Sequence, residues 1–98
     1  MTLNEILAQG RAIWGPGPTP LPHMAVVLGV VVGDIGRQAR NQTEGYRVND
    51  TELAKELGNL VLSAVRFMDD IGYIPAHCIE LAQATQAAYA EDLDEARP

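Results

Sequence analysis

Cysteine is nearly absent: the single Cys78 can close no disulfide within the chain, so stability has to come from packing. Aromatic residues are scarce too, 5% of the chain with one tryptophan, which leaves valine, leucine, isoleucine and alanine to make the core. Positive charge is in short supply. Seven basic residues against thirteen acids give a formal net charge of −6, which repels a phosphate backbone and argues against nucleic acid as a partner. Long apolar runs are missing as well. The run MAVVLGVVVG at residues 24–33 reaches about half of the roughly 18–20 residues needed to cross a bilayer, so no membrane span is expected. The N-terminus MTLNEILAQG lacks the basic-then-apolar order of a signal peptide. The expectation is a cytoplasmic protein whose sequons at Asn41 and Asn49 carry no glycan.

What is present suffices for one folded domain spanning residues 1–98. Hydrophobic residues make up 47% of the chain, far from the disordered class. A chain of this length buries only about 60–70% of its unfolded surface. The core is therefore thin, and a homodimer or larger homo-oligomer is expected.

Punctuation divides the chain into four helical segments. In TLNE, Thr2 stands three residues before Glu5, the spacing of a capping box. Leu3, Ile6, Leu7 and Ile13 follow at helical spacing to about Trp14, and GPGPTPLP stops the helix. The stretch VVLGVVVGDIGRQAR at 26–40 admits two readings, a buried strand feeding a phosphate loop or a helix. A strand needs partners, and no second strand-like run exists. Thr19 before Pro20 has the form of a helix start, with Thr19 as N-cap. Gly29, Gly33 and Gly36 fall on one helical stripe, where a neighbouring backbone could approach closely. A phosphate loop would bunch its glycines ahead of a helix. Helix is therefore predicted over 20–41.

NDTE places Asn49 three residues before Glu52, another start signal. Leu53, Leu57, Leu60, Ala64, Phe67 and Ile71 then recur at steps of three and four as one apolar seam. Gly72 breaks this third helix and Pro75 opens a fourth, with Cys78, Leu81, Ala82, Thr85, Ala88 and Tyr89 on its apolar face and a frayed acidic tail over about 91–98. Along the third helix runs a second stripe, Glu56, Asn59, Ser63, Arg66 and Asp70, which periodicity alone reads as a solvated face.

Residues 55–72, KELGNLVLSAVRFMDDIG, resemble the helix of the MazG-like nucleoside-triphosphate pyrophosphohydrolases that carries Glu-x-x-Asp before an apolar run and ends at a glycine. The pair here is Glu56 and Asn59. Residues 30–34, VVVGD, are similar to that family's upstream Glu-Glu-x-x-Glu segment, with Asp34 on the last acid and Val30 and Val31 on the two glutamates. The 21 residues between Asp34 and Glu56, Trp14 and the proline-rich link also match the family's layout. The resemblance implies an all-α, four-helix chain of the MazG-like helical-bundle type, completed by dimerisation. It further implies Mg²⁺-dependent conversion of a nucleoside triphosphate to monophosphate and pyrophosphate, with Asp34, Glu56 and Asn59 as metal ligands and Trp14 and Arg37 toward the substrate. Val31 puts an apolar side chain at a fourth ligand position. Gln83 and Gln86 stand where the family tends to carry basic residues.

Mg²⁺ prefers six hard oxygens in octahedral geometry, so loss of acids weakens such a site. Activity is accordingly expected to be weak or lost, and no catalytic residue is assigned. A non-catalytic helical interaction module that retains the fold is the alternative. For Trp14, stacking on a base and anchoring the core both remain open. Arg37 and Arg66 have local acids, Asp34 and Asp70, as salt-bridge partners. His23 and His77 lack metal-ligand spacing and are read as surface residues. No Ser, His and acid constellation emerges, and Cys78 has no nucleophile signature.

Overall fold

A computed structural model describes residues 1–96. The chain is all-α: α1 spans Leu3–Trp14, α2 Leu21–Thr43, α3 Asp50–Asp70 and α4 Pro75–Ala96, with no strand among the described residues. The valine-rich stretch at 26–40 is helical throughout, so tertiary packing overrides its β-branched composition.

Two helix starts are capped as the sequence signals. Thr2 Oγ1 accepts the Glu5 N–H at 3.1 Å and donates to the Glu5 carboxylate at 3.2 Å. Asn49 Oδ1 accepts the Glu52 N–H at 3.1 Å. The start of α2 differs from expectation. Its N-cap is Pro20, with no side-chain cap, and Thr19 is buried against the end of α3 instead. Pro22 in the first turn needs no N–H partner, which leaves Thr19 free to satisfy buried charges.

α3 is the hub: α2 packs against it most extensively, α1 next and α4 least. The core joins Met24 and Val31 of α2 to Val65 and Phe67 of α3. The expected α3 seam is only partly inside. Phe67 is buried and Leu53, Leu60 and Ala64 are half-buried, whereas Leu57 and Ile71 are exposed and Val65, outside the seam, is the most buried of all. Two helices pack on α3 from different sides, so its buried arc is wider than, and rotated from, the single stripe. The glycine stripe of α2 also meets nothing: a Cβ at Gly29, Gly33 or Gly36 would find no atom within 4 Å. Those glycines lie about half a turn from Met24 and Val31, the side that α2 turns inward.

α4 buries no residue among those described. It continues as helix through 91–96, where a frayed tail is expected from sequence, because Ala88, Ala90 and Leu93 are good helix formers. The rest of that tail, residues 97 and 98, lies outside the described residues. No helix among the described residues is long and apolar enough to cross a membrane.

Candidate functional site

The polar stripe of α3 points inward. Glu56 is buried, Ser63, Arg66 and Asp70 are half-buried, and only Asn59 is exposed. This corrects its reading as a solvated face. At 3.6 residues per turn the stripe falls between the arc of α3 that meets α2 and the arc that meets α1, so these polar groups line the junction of three helices.

At the C-terminal end of the stripe, the Asp70 side chain is 0% exposed. One oxygen pairs with Arg11 of α1; the other accepts the Thr19 N–H at 3.2 Å and lies 3.6 Å from Arg66 Nε. Arg11 also donates to Asp69 at 2.6 Å, and Arg66 donates to Thr19 Oγ1 at 3.3 Å. Arg66 Nε is itself buried without a hydrogen bond. Burial acts most strongly on the Asp70 carboxyl and pushes its pKa up, but the hydrogen bonds from Arg11 and Thr19 and the Arg11 charge outweigh it, so the group titrates below its ordinary value. Arg11 is raised, by Asp69 first and then by Asp70. The close approach of the link explains Gly17, whose φ is +66° and where any Cβ would collide with the Asp70 carboxylate.

Trp14 belongs to this end. Its indole lies across Gly10, where a Cβ would collide with the ring. The guanidinium groups of Arg11 and Arg66 stand 5.8 and 5.4 Å from the ring centroid, within cation–π range. The half-buried ring thus anchors α1 to α3 through two cations that Asp70 also holds.

The N-terminal end of the stripe is more loosely held. The Glu56 side chain is 11% exposed, with Lys55 Nζ 3.7 Å from its Oε1. Asn59 Nδ2 donates to the same oxygen at 3.3 Å. Lys55 is raised in pKa, by its hydrogen bond to Glu52 more than by Glu56. On α2, Asp34 is engaged by Arg37 at 2.6 Å, one of the salt bridges expected from sequence; the Arg66 to Asp70 pair is another. Leu28 shares a groove with Ala64 and Phe67, while Gln38 and Gln42 share one with Val48 and Leu53. α2 and α3 therefore run antiparallel, in a register that carries Val31 and Asp34 to the level of Glu56–Leu60.

Asp34, Glu56 and Asn59 thus share one level of the α2–α3 pair, with Arg37 beside Asp34 and Val31 in the core. Trp14 does not join them. Its partner Arg66 is seven residues past Asn59 and ten past Glu56, about 10–15 Å along the helix. Among the described residues no group of three or more His, Cys, Asp and Glu side chains is arranged to hold a metal ion.

Arg11, Asp69 and Thr19 as a charge-balancing group were missed by sequence reasoning. A signal existed. Two adjacent acids in the last turn of α3, with no basic residue in that turn, oppose the helix dipole and require a cation from elsewhere in the chain. No protein-family profile matches this chain, and no curated protein or solved structure is significantly similar to it.

Proposed function

We propose that this chain is a MazG-like pyrophosphohydrolase-family protein in which Mg²⁺-dependent conversion of nucleoside triphosphate to monophosphate and pyrophosphate is weak or lost. The observation that carries the reading is the α2–α3 register. It sets Asp34 level with Glu56 and Asn59, at the N-terminal end of an inward polar stripe, which supports the grouping that the resemblance implies. Trp14, at the end of α1 and about 10–15 Å along α3 from this level, is the base contact that the resemblance implies.

The donor set fits a divalent cation poorly. Asp34 and Glu56 each already face a cation, Arg37 and Lys55, Asn59 offers only an amide oxygen, and Mg²⁺ prefers six hard oxygens. No catalytic step is derived from it. Calorimetric titration of Mg²⁺ or Mn²⁺, with and without a nonhydrolysable triphosphate, tests the reading: saturable binding that needs both metal and triphosphate supports it. Flat titrations overturn any surviving metal–nucleotide site and favour the non-catalytic module.

A second reading, a non-catalytic helical interaction module, draws on a different observation. Val31 is buried as part of the core, so the position has been given over to packing. On this reading Lys55 and Arg37 serve only to balance two carboxylates in the fold.

A further inference from the structure

α4 stands apart from the body of the fold. It buries none of its described residues, and it packs on α3 less than α1 or α2 does. The Cα radius of gyration is accordingly 16.5 Å, against about 12.5 Å for a compact chain of this length. The outer surface of α4 is sorted along one line. Cys78, Leu81, Thr85, Ala88, Asp92 and Glu95 recur at steps of three and four, the spacing by which one helix meets another. The first part of that seam is apolar, with Ala82 and Tyr89 beside it and with Leu81 58% and Tyr89 65% exposed. Thr85, its polar member, already donates its hydroxyl to the Leu81 carbonyl at 3.0 Å. The last part is acidic.

Charge on α4 has one sign. Glu80, Glu91, Asp92, Asp94 and Glu95 lie between Pro75 and Ala96, and no lysine or arginine does, so this helix carries five of the thirteen acids and none of the seven bases. Acids in a last helical turn oppose the helix dipole, and Glu91 and Glu95, four residues apart, repel each other. α3 has the same difficulty at Asp69 and Asp70 and resolves it with Arg11 and Arg66. Glu91, Asp92 and Glu95 have no ion pair among the described residues. The cation for α4 then comes from outside the described fold.

We infer that α4 is the docking surface for a basic amphipathic helix of another protein, with the apolar part of that helix along residues 78–89 and its lysines or arginines against Asp92 and Glu95. Charge disfavours the other occupants. Nucleic acid and anionic lipid surfaces are repelled. A second α4 is mismatched in either direction: parallel pairing sets Asp92 beside Asp92, and antiparallel pairing buries Asp92 and Glu95 against the apolar part of the seam. Apolar contact supplies the affinity, and the acids supply the direction and the rate of approach. α4 holds none of the residues at the Glu56 level, so this role is independent of either reading of that site.

Fluorescence anisotropy with a synthetic probe tests it. The probe is a labelled helical peptide with leucines along one end of its seam and lysines along the other, compared with a scrambled peptide of the same composition and with a version carrying glutamate for lysine. The parent is expected to bind the probe at micromolar concentration and both comparison peptides about tenfold more weakly or worse. At exposed positions of α4, Glu91→Gln with Asp92→Asn and Glu95→Gln should lose about tenfold in affinity. Leu81→Ser with Tyr89→Ser should lose as much, with helical circular dichroism retained in both variants. Glu5→Gln with Glu44→Gln and Glu52→Gln removes the same charge elsewhere and should keep the parental affinity. No binding by the parent, an equal loss in the two charge variants, or equal affinity for either comparison peptide overturns the inference. So does a parent that sediments as an oligomer and is made monomeric by Leu81→Ser with Tyr89→Ser, because a second copy would then cover the seam.

Discussion

Asp70 and Glu56 sit at opposite ends of one stripe on α3, and their charges are balanced in opposite ways. Asp70 is sealed from solvent and draws partners from α1, the 15–20 link and its own helix. Among the described residues Glu56 is paired with Lys55 and Asn59, both from its own helix and both largely open to water. A buried charge held by three separate segments is a strut, since removing it frees all three. A charge paired only with its helical neighbours ties no second segment to the helix. The difference teaches that one helical stripe can tie three segments together at one end and pair only with its own helix at the other.

The largest expected effect comes from cutting the strut. Asp70→Asn removes the charge that holds Arg11 and Arg66 and leaves two guanidinium groups imperfectly paired. The cost is put at about 2–4 kcal/mol, because both arginines keep some access to water, and it is read as a drop in the urea midpoint. Glu56→Gln should cost less, about 1 kcal/mol, since the amide keeps the shape and an oxygen for Asn59, and the Lys55 it releases is exposed and still paired with Glu52. Equal losses at the two positions would erase the contrast between strut and site.

Acid sharpens the same contrast. The Asp70 carboxyl titrates below its ordinary value in the folded chain, so its contribution is fully present above the unfolded carboxylate pKa of about 3.9 and is lost as pH falls through the folded value. Urea midpoints should therefore decline more steeply below about pH 4 in the parent than in Asp70→Asn. A variant that keeps the parental acid slope would show that other groups dominate that range.

Much of the helical plan is legible in the sequence because caps and breakers act locally. Thr2, Asn49, Gly72 and Pro75 each do what their neighbours predict. What sequence misjudges is the direction in which faces point. Periodicity groups Leu57 with Phe67 and Glu56 with Asp70, but only the placement of α1 and α2 decides that Leu57 is exposed and Glu56 buried. Thr19 looks like a cap and serves as a tertiary ligand for the reason that makes caps useful, an N–H and a hydroxyl on a tight link. At the candidate site, Asp34 with Arg37 follows from spacing, whereas the core position of Val31 needs the packed structure.

The most direct measurement restores at the Glu56 end what the resemblance says is missing. Val31→Glu with Asn59→Asp should crowd four carboxylates at one level of α2 and α3 and lower the melting temperature of the metal-free protein, through repulsion and the burial of charge. Mg²⁺ at a hundredfold excess over its Kd should then return about 2.7 kcal/mol, roughly 10 °C or more for a domain of this size, while the parent barely moves. Equal responses of the two proteins to Mg²⁺ would contradict the account, because Val31 and Asn59 would then not face a common site with Asp34 and Glu56.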